Sequence, residues 1–266
     1  MFARNHLLWI GICLLLIVCA FAWLKKRKPP LRAVLSVYCV LAVLSEFIKV
    51  FSSIRMLPVA GESGLYPYLD IGHLPLHLCS MQVLLIFLVR FTGNNKLRDT
   101  ILAFMYPTCA AGAFFAVLLP SIFPSSMDVS EAFVHPLAYQ YFLWHSGLII
   151  LGFYIPVSGE ISLTPRRLLQ SILLLSGMGF GSLYINMIFS RPVYDGGHAV
   201  SLEYVTNFFF TAQTPIGIPL LEKGHWILYY LILQFLAILL MTLLYLPFMK
   251  KRAGTKTGEG KNLEKA

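Results

Sequence analysis

Seven stretches of the chain stay mostly apolar for about 20 residues each, the length a helix needs to cross a hydrocarbon core. They fall near 7–24, 32–51, 73–91, 100–121, 138–157, 168–189 and 226–248. The pattern predicts an all-α membrane protein: a seven-transmembrane-helix bundle in residues 1–249, followed by a basic tail, 250–266. Pro75 and His77 fall in the first turns of the third stretch, its weakest feature. Tyr106-Pro107 and Pro247 predict kinks or helix ends, because proline has no N–H to donate. The long connections are 52–72, 122–137 and 190–225.

Composition sharpens this picture. Hydrophobic residues make up 58% of the chain and charged residues only 12%, against about 25% charged in soluble domains. Mean hydropathy is +0.73. Too few charges remain to coat a water-soluble core, which excludes a soluble enzyme, a nucleic-acid-binding domain and a disordered chain. The net charge of +9 comes in short clusters between apolar runs, where orientation determinants sit. Sixteen of the 21 Lys and Arg lie in 25–32, 90–98, 166–167 and the tail. By the positive-inside rule that side is cytoplasmic, so the N-terminus is outside and the C-terminus inside a cell membrane. The first apolar run ends on Lys25-Lys26-Arg27-Lys28, the wrong flank for a cleaved signal, and reads as a retained span.

Polar groups inside spans are costly and mark functional candidates. Glu46, His77, Cys79, His145 and Asn186 all fall within roughly 5–11 Å of the outer boundary at ~1.5 Å per residue, which points to a shared outer-facing cavity. Glu46 and Lys49, three apart on one helix, can pair. A cysteine nucleophile needs a nearby base, and His145 arrives from another helix at matching depth. Equally, Cys79 fits a packing role, the commonest for a free cysteine. Cys13, Cys19, Cys39 and Cys109 have no equally placed histidine and read as packing residues. There is no CxxC spacing, so neither a disulfide framework nor a zinc ribbon is indicated.

A rival constellation uses the same segment. Asp70, His73 and His77 give D-x2-H-x3-H, which on a helix places two histidines at i, i+4 for zinc, with His145, His135 or His198 as a third ligand. A further rival is a transporter or sensor that binds a cation or small solute between Glu46 and His145. Gly177, Gly179 and Gly181 lie in an apolar span with no strand before them and read as helix packing. No nucleotide or nucleophile-elbow motif is present, no cofactor is expected, and the expected partners are membrane lipids.

The run His73-Leu74-Pro75-Leu76-His77-Leu78-Cys79-Ser80 resembles the LPLHLC segment of the YwaF-type integral membrane proteins, which are similar to the animal transmembrane protein 164 group. Tyr141-Phe142-Leu143-Trp144-His145 resembles the family's aromatic segment ending in histidine, and Tyr184-Ile185-Asn186 a further match. Asn207-Phe208-Phe209-Phe210 followed by Pro215 resembles its NYxFL…P stretch, which adds Asn207 to the candidate substrate contacts. Arg191 to Glu203 looks like extra loop relative to the family, and Gly224 to Tyr229 lacks the proline of its WPWY. The resemblance implies a seven-span bundle and, from the animal branch, acyl transfer on membrane phospholipids through a cysteine. Here that role falls on Cys79, with His145 as base and His77 and Asn186 as oxyanion donors. It leaves transferase and hydrolase open.

Overall fold

The computed structural model describes residues 2–59, 61, 63–195, 197–214 and 225–253. Glu62, Pro215, Glu222, Lys223, Gly224 and the tail from 254 onward lie outside the described residues. Helix α1 (Arg4–Arg27) ends where Lys28 turns left-handed, with its N–H closing on the Leu24 carbonyl, and Pro29-Pro30 bar any continuation. Helix α2 (Leu31–Ser53) runs into a hairpin of β1 (Arg55–Pro58) and β2 (Leu65–Tyr68). A 3-10 turn, Ile71–His73, precedes α3 (Leu78–Phe91). Helix α4 (Asn95–Pro107) passes through a π-helical turn, Thr108–Gly112, into α5 (Ala113–Leu118). Short α6 (Ile122–Ser125) leads to α7 (Pro136–Val157) and α8 (Pro165–Ile188). A second hairpin, β3 (Ser190–Asp195) with β4 (His198–Tyr204), and a 3-10 turn, Phe208–Phe210, precede α9 (Trp226–Ala253).

Among the described residues, five helical stretches are long and apolar enough to cross a membrane: α1, α2, α4 through α5, α8 and α9. Two of the seven expected spans differ. The third is 14 residues, Leu78–Phe91, about 21 Å of helix against a core of about 30 Å. The fifth, α7, has the length, but buried Gln140, His145 and Ser146 lower its apolarity. Helix α9 also continues through Pro247 to Ala253 instead of ending there.

Fourteen of the 22 residues of α7 are buried, as expected of a helix enclosed by its neighbours. It packs against α1, α2, α4, the π-helical turn and α5. Close approach is possible because residue 152 is glycine: a Cβ there would sit 2.6 Å from the Ala110 backbone nitrogen. Tyr38 donates to the Gly147 carbonyl at 2.6 Å, and Gln140 to Ser45 at 2.7 Å. Pro107 cannot bond back to Ala103, and that carbonyl is taken by the Tyr245 hydroxyl at 2.6 Å. Of the kink or helix end expected there, the structure shows the end: α-helical geometry gives way to the π-helical turn after Pro107, and α9 satisfies the freed carbonyl. Gly179 faces Gln234 of α9 closely, whereas Gly177 and Gly181 meet nothing within 4 Å.

The two ends of the bundle differ in chemistry. At the basic end, Glu160 accepts from the Leu31 backbone and pairs with Arg98, while Arg167 pairs with Asp99 at 2.6 Å. An open cleft of about 460 Å³ lies here, lined in part by Asp99, Glu160 and Phe248; both its carboxylates are already paired. The opposite end carries the two hairpins. There Trp9 stacks between Phe133 and Phe142 and donates to the Ala132 carbonyl at 2.8 Å. Replacing Gly152 by alanine should cost about 1–3 kcal/mol by overpacking. A clearly lowered melting temperature in detergent checks it, with Gly177→Ala as the neutral control.

Candidate functional site

The start of α3 shapes the site. Asp70 Oδ1 accepts from the Gly72 N–H at 2.7 Å and caps the 3-10 turn, after which Leu74, before Pro75, is extended (φ −54°, ψ 143°). His77 stands at the N-cap and is also extended, so the helix begins at Leu78. His73 and His77 therefore do not lie one turn apart on a helix, and the spacing argument for a two-histidine zinc face fails. His135 instead caps α7 by accepting from Leu137 at 3.2 Å, and His198 sits on β4 opposite Asp195. Among the described residues, no three His, Cys, Asp or Glu side chains gather closely enough for a metal ion.

Cys79 consequently lies in the first helical turn rather than mid-helix. His77 makes no capping hydrogen bond, which leaves the N–H groups of Leu78, Cys79 and Ser80 without a side-chain cap. Such groups are the positive end of the helix dipole and favour anions. Cys79 is half-buried and within electrostatic reach of the Tyr141 hydroxyl and the Cys109 thiol. Tyr141 carries His145 with it: their ring centroids are 4.2 Å apart, and His145 Nδ1 meets the Tyr141 carbonyl at 2.6 Å. A carbonyl only accepts, so Nδ1 bears the proton and Nε2 keeps its lone pair. His145 is 6% exposed and within electrostatic reach of His77. No hydrogen bond joins it to Cys79.

Lys49 pairs with Glu46, and its charge reaches both His73 and His77. The His77 ring lies edge-on to Phe208 with centroids 5.0 Å apart, and Phe210 lies farther off at 6.3 Å. Those phenylalanines belong to a loop that Asn186 organises. Its amide donates to the Phe208 carbonyl and to Thr211 Oγ1, both at 2.9 Å. Its oxygen accepts from Thr206 Oγ1 at 3.0 Å and from the Phe208 N–H at 2.9 Å. Both amide hydrogens are thus spent on the loop, leaving none for an oxyanion. Asn207 is likewise engaged, accepting from Ala212 and Gln213 and donating to the Gln213 carbonyl. Phe209 and Phe210 both have left-handed backbones, φ 57° and 54°, which cost about 1–3 kcal/mol apiece in a bulky residue. Tyr229 of α9 helps hold them by donating to the Phe210 carbonyl.

Two polar features escaped the sequence reading. Gln82, fully buried one turn beyond Cys79, donates to Thr108 Oγ1 at 3.1 Å and accepts from Cys109 Sγ at 3.2 Å. This ties α3 to the π-helical turn, a feature frequent at functional sites, and gives Cys109 a partner. A glutamine inside an apolar run was the available signal. His6, fully buried, meets the Val117 carbonyl at 3.1 Å.

Burial holds His73 below its ordinary value of 6.5, opposed by Asp70 and reinforced by Lys49 and Arg55. Because the folded value is the lower one, the fold is favoured above the unfolded pKa and loses stability as pH falls through about 6.5. His73→Gln should flatten the dependence of melting temperature on pH between about 5 and 7.

A sequence model described as the TMEM164 family matches residues 1–245. The YwaF-type resemblance remains a likeness of motifs. No curated protein and no solved structure matches the chain.

Proposed function

The chain belongs to the TMEM164 family, and on that footing we propose that it moves acyl chains between membrane lipids with Cys79 as nucleophile. The observation that carries the reading is the place of Cys79 in the uncapped first turn of α3, beside a Tyr141–His145 pair whose Nε2 is free to accept. Cys79 Sγ attacks the ester carbonyl while His145 Nε2 takes the thiol proton. The tetrahedral oxyanion is held by the N–H groups of Cys79 and Ser80, with His77 alongside. Collapse expels the lysolipid alkoxide, which takes the proton from His145, and leaves the acyl group as a thioester on Cys79. A second lysolipid hydroxyl then gives up its proton to His145 and attacks the thioester; collapse breaks the C–S bond, and the departing Cys79 thiolate takes that proton back from His145. Attack by water at that step would make the enzyme a hydrolase.

In this reading Asn186 and Asn207 hold the Phe208–Phe210 wall, and the Glu46–Lys49 pair flanks His77 without reacting. The reading also places α3 and α7 in the membrane beside the five long apolar stretches. That arrangement makes seven spans, with the N-terminus outside, the basic end in the cytoplasm and the site open to the outer leaflet of the cell membrane. An acyl chain reaches such a site laterally, without crossing water.

Protein reconstituted with phospholipid and an isotope-labelled lysophospholipid is expected to exchange acyl chains, read by mass spectrometry. Cys79→Ala and Cys79→Ser should abolish exchange, and His145→Gln should lower it by about 10²–10⁴-fold. Full activity in Cys79→Ala, or no acyl turnover by the native protein, overturns the reading.

A further inference from the structure

The β1–β2 hairpin exposes large apolar or aromatic side chains on both of its faces. Its register pairs Arg55 with Tyr68, Met56 with Pro67, Leu57 with Tyr66 and Pro58 with Leu65. Directly opposed residues share a face. One face therefore carries Leu57, Tyr66 and Tyr68 with Arg55 at its base, and the other carries Met56, Pro58, Leu65 and Pro67. All eight residues are exposed, Leu65 by 61%. A sheet wetted on one side alternates apolar and polar positions, and a two-stranded hairpin in water is marginal by itself. The second hairpin makes the contrast. One of its faces carries the Arg191–Glu203 and Val193–Ser201 pairs, the mixture expected of a hydrated ribbon.

Position decides what covers the first hairpin. Helix α2 ends at Ser53 and β1 begins at Arg55. The exposed apolar side chains of that membrane-crossing helix (Leu44, Phe47, Phe51) are followed by exposed Ile54, Met56 and Leu57, with Arg55 as the charged residue among them. Tyrosines favour the level of the lipid head groups, and an arginine at the base can extend its guanidinium to phosphate while its stem stays apolar.

We infer that the β1–β2 hairpin is immersed in the membrane at the level of the head groups and first acyl carbons, and that its partner on both faces is lipid. The β3–β4 hairpin, at the same end of the bundle, stands in water. The immersed hairpin contributes lipid contact beyond the helices, and this holds whether or not Cys79 is a nucleophile.

The test places a benzophenone side chain at Leu65, or at Ser201 on the second hairpin, in full-length protein in phosphatidylcholine nanodiscs. After irradiation, mass spectrometry identifies the adducts. Position 65 should yield lipid adducts several-fold above position 201. Equal yields, or crosslinks from 65 to a second protein chain, overturn the inference. If the benzophenone at 65 disturbs the fold, Met56→Trp answers the same question. Its added fluorescence should be quenched by lipids brominated near the head of the chain and resist acrylamide; strong acrylamide quenching without bromine quenching counts against immersion.

Discussion

A helix that begins inside a bundle leaves backbone N–H groups with nothing to bond except what enters beside them. In this protein Pro75 and the extended Leu74–His77 segment delay α3 until Leu78, and no side chain caps the turn that follows. Cys79 is thereby set in the first turn of a 14-residue helix, the end whose free N–H groups favour an anion. The rest of the site is arranged around that end. Tyr141 and His145 approach from α7, the Phe208–Phe210 loop from beyond α8, and Lys49 from α2.

Holding α3 in this place takes a network of polar contacts at points where helices are broken or closely packed. Gln82 anchors α3 to the π-helical turn, and Gly152 lets α7 press against that turn. The carbonyl that Pro107 leaves unpaired is returned to the network by Tyr245. Asn186, with all four of its hydrogen-bonding positions used, holds the loop whose Phe208 and Phe210 face His77. Each device answers the same constraint: buried polar backbone must find a partner when lipid offers none.

Much of the helical content was legible in the sequence because apolar runs of about 20 residues are a strong signal. The runs at 7–24, 32–51, 168–189 and 226–248 correspond to α1, α2, α8 and α9 within a few residues. The third run misled because Leu74 and Leu76 extend its apolar pattern while Pro75 breaks the helix there, and the zinc spacing drawn from that supposed helix fell with it. The break at Pro107 was visible; the π-helical form of the turn that follows, against which Gly152 of another helix packs, was not. Depth along the spans singled out Cys79, His145, Glu46 and Asn186, but depth cannot tell which hydrogen bonds a side chain has already made. Asn186 and the Glu46–Lys49 pair are occupied by structure, and Gln82 went unnoticed among its apolar neighbours.

The account stands on Cys79 being activated by its position and by His145, which alkylation with a long-chain chloroacetamide measures directly. Cys19, exposed on the membrane-crossing helix α1, is the internal reference for access by a membrane-soluble reagent, and His145→Gln isolates the chemistry. The account predicts that Cys79 reacts faster than Cys19 near neutral pH and that His145→Gln removes the advantage. A Cys79 slower than Cys19, or one indifferent to His145→Gln, would contradict it.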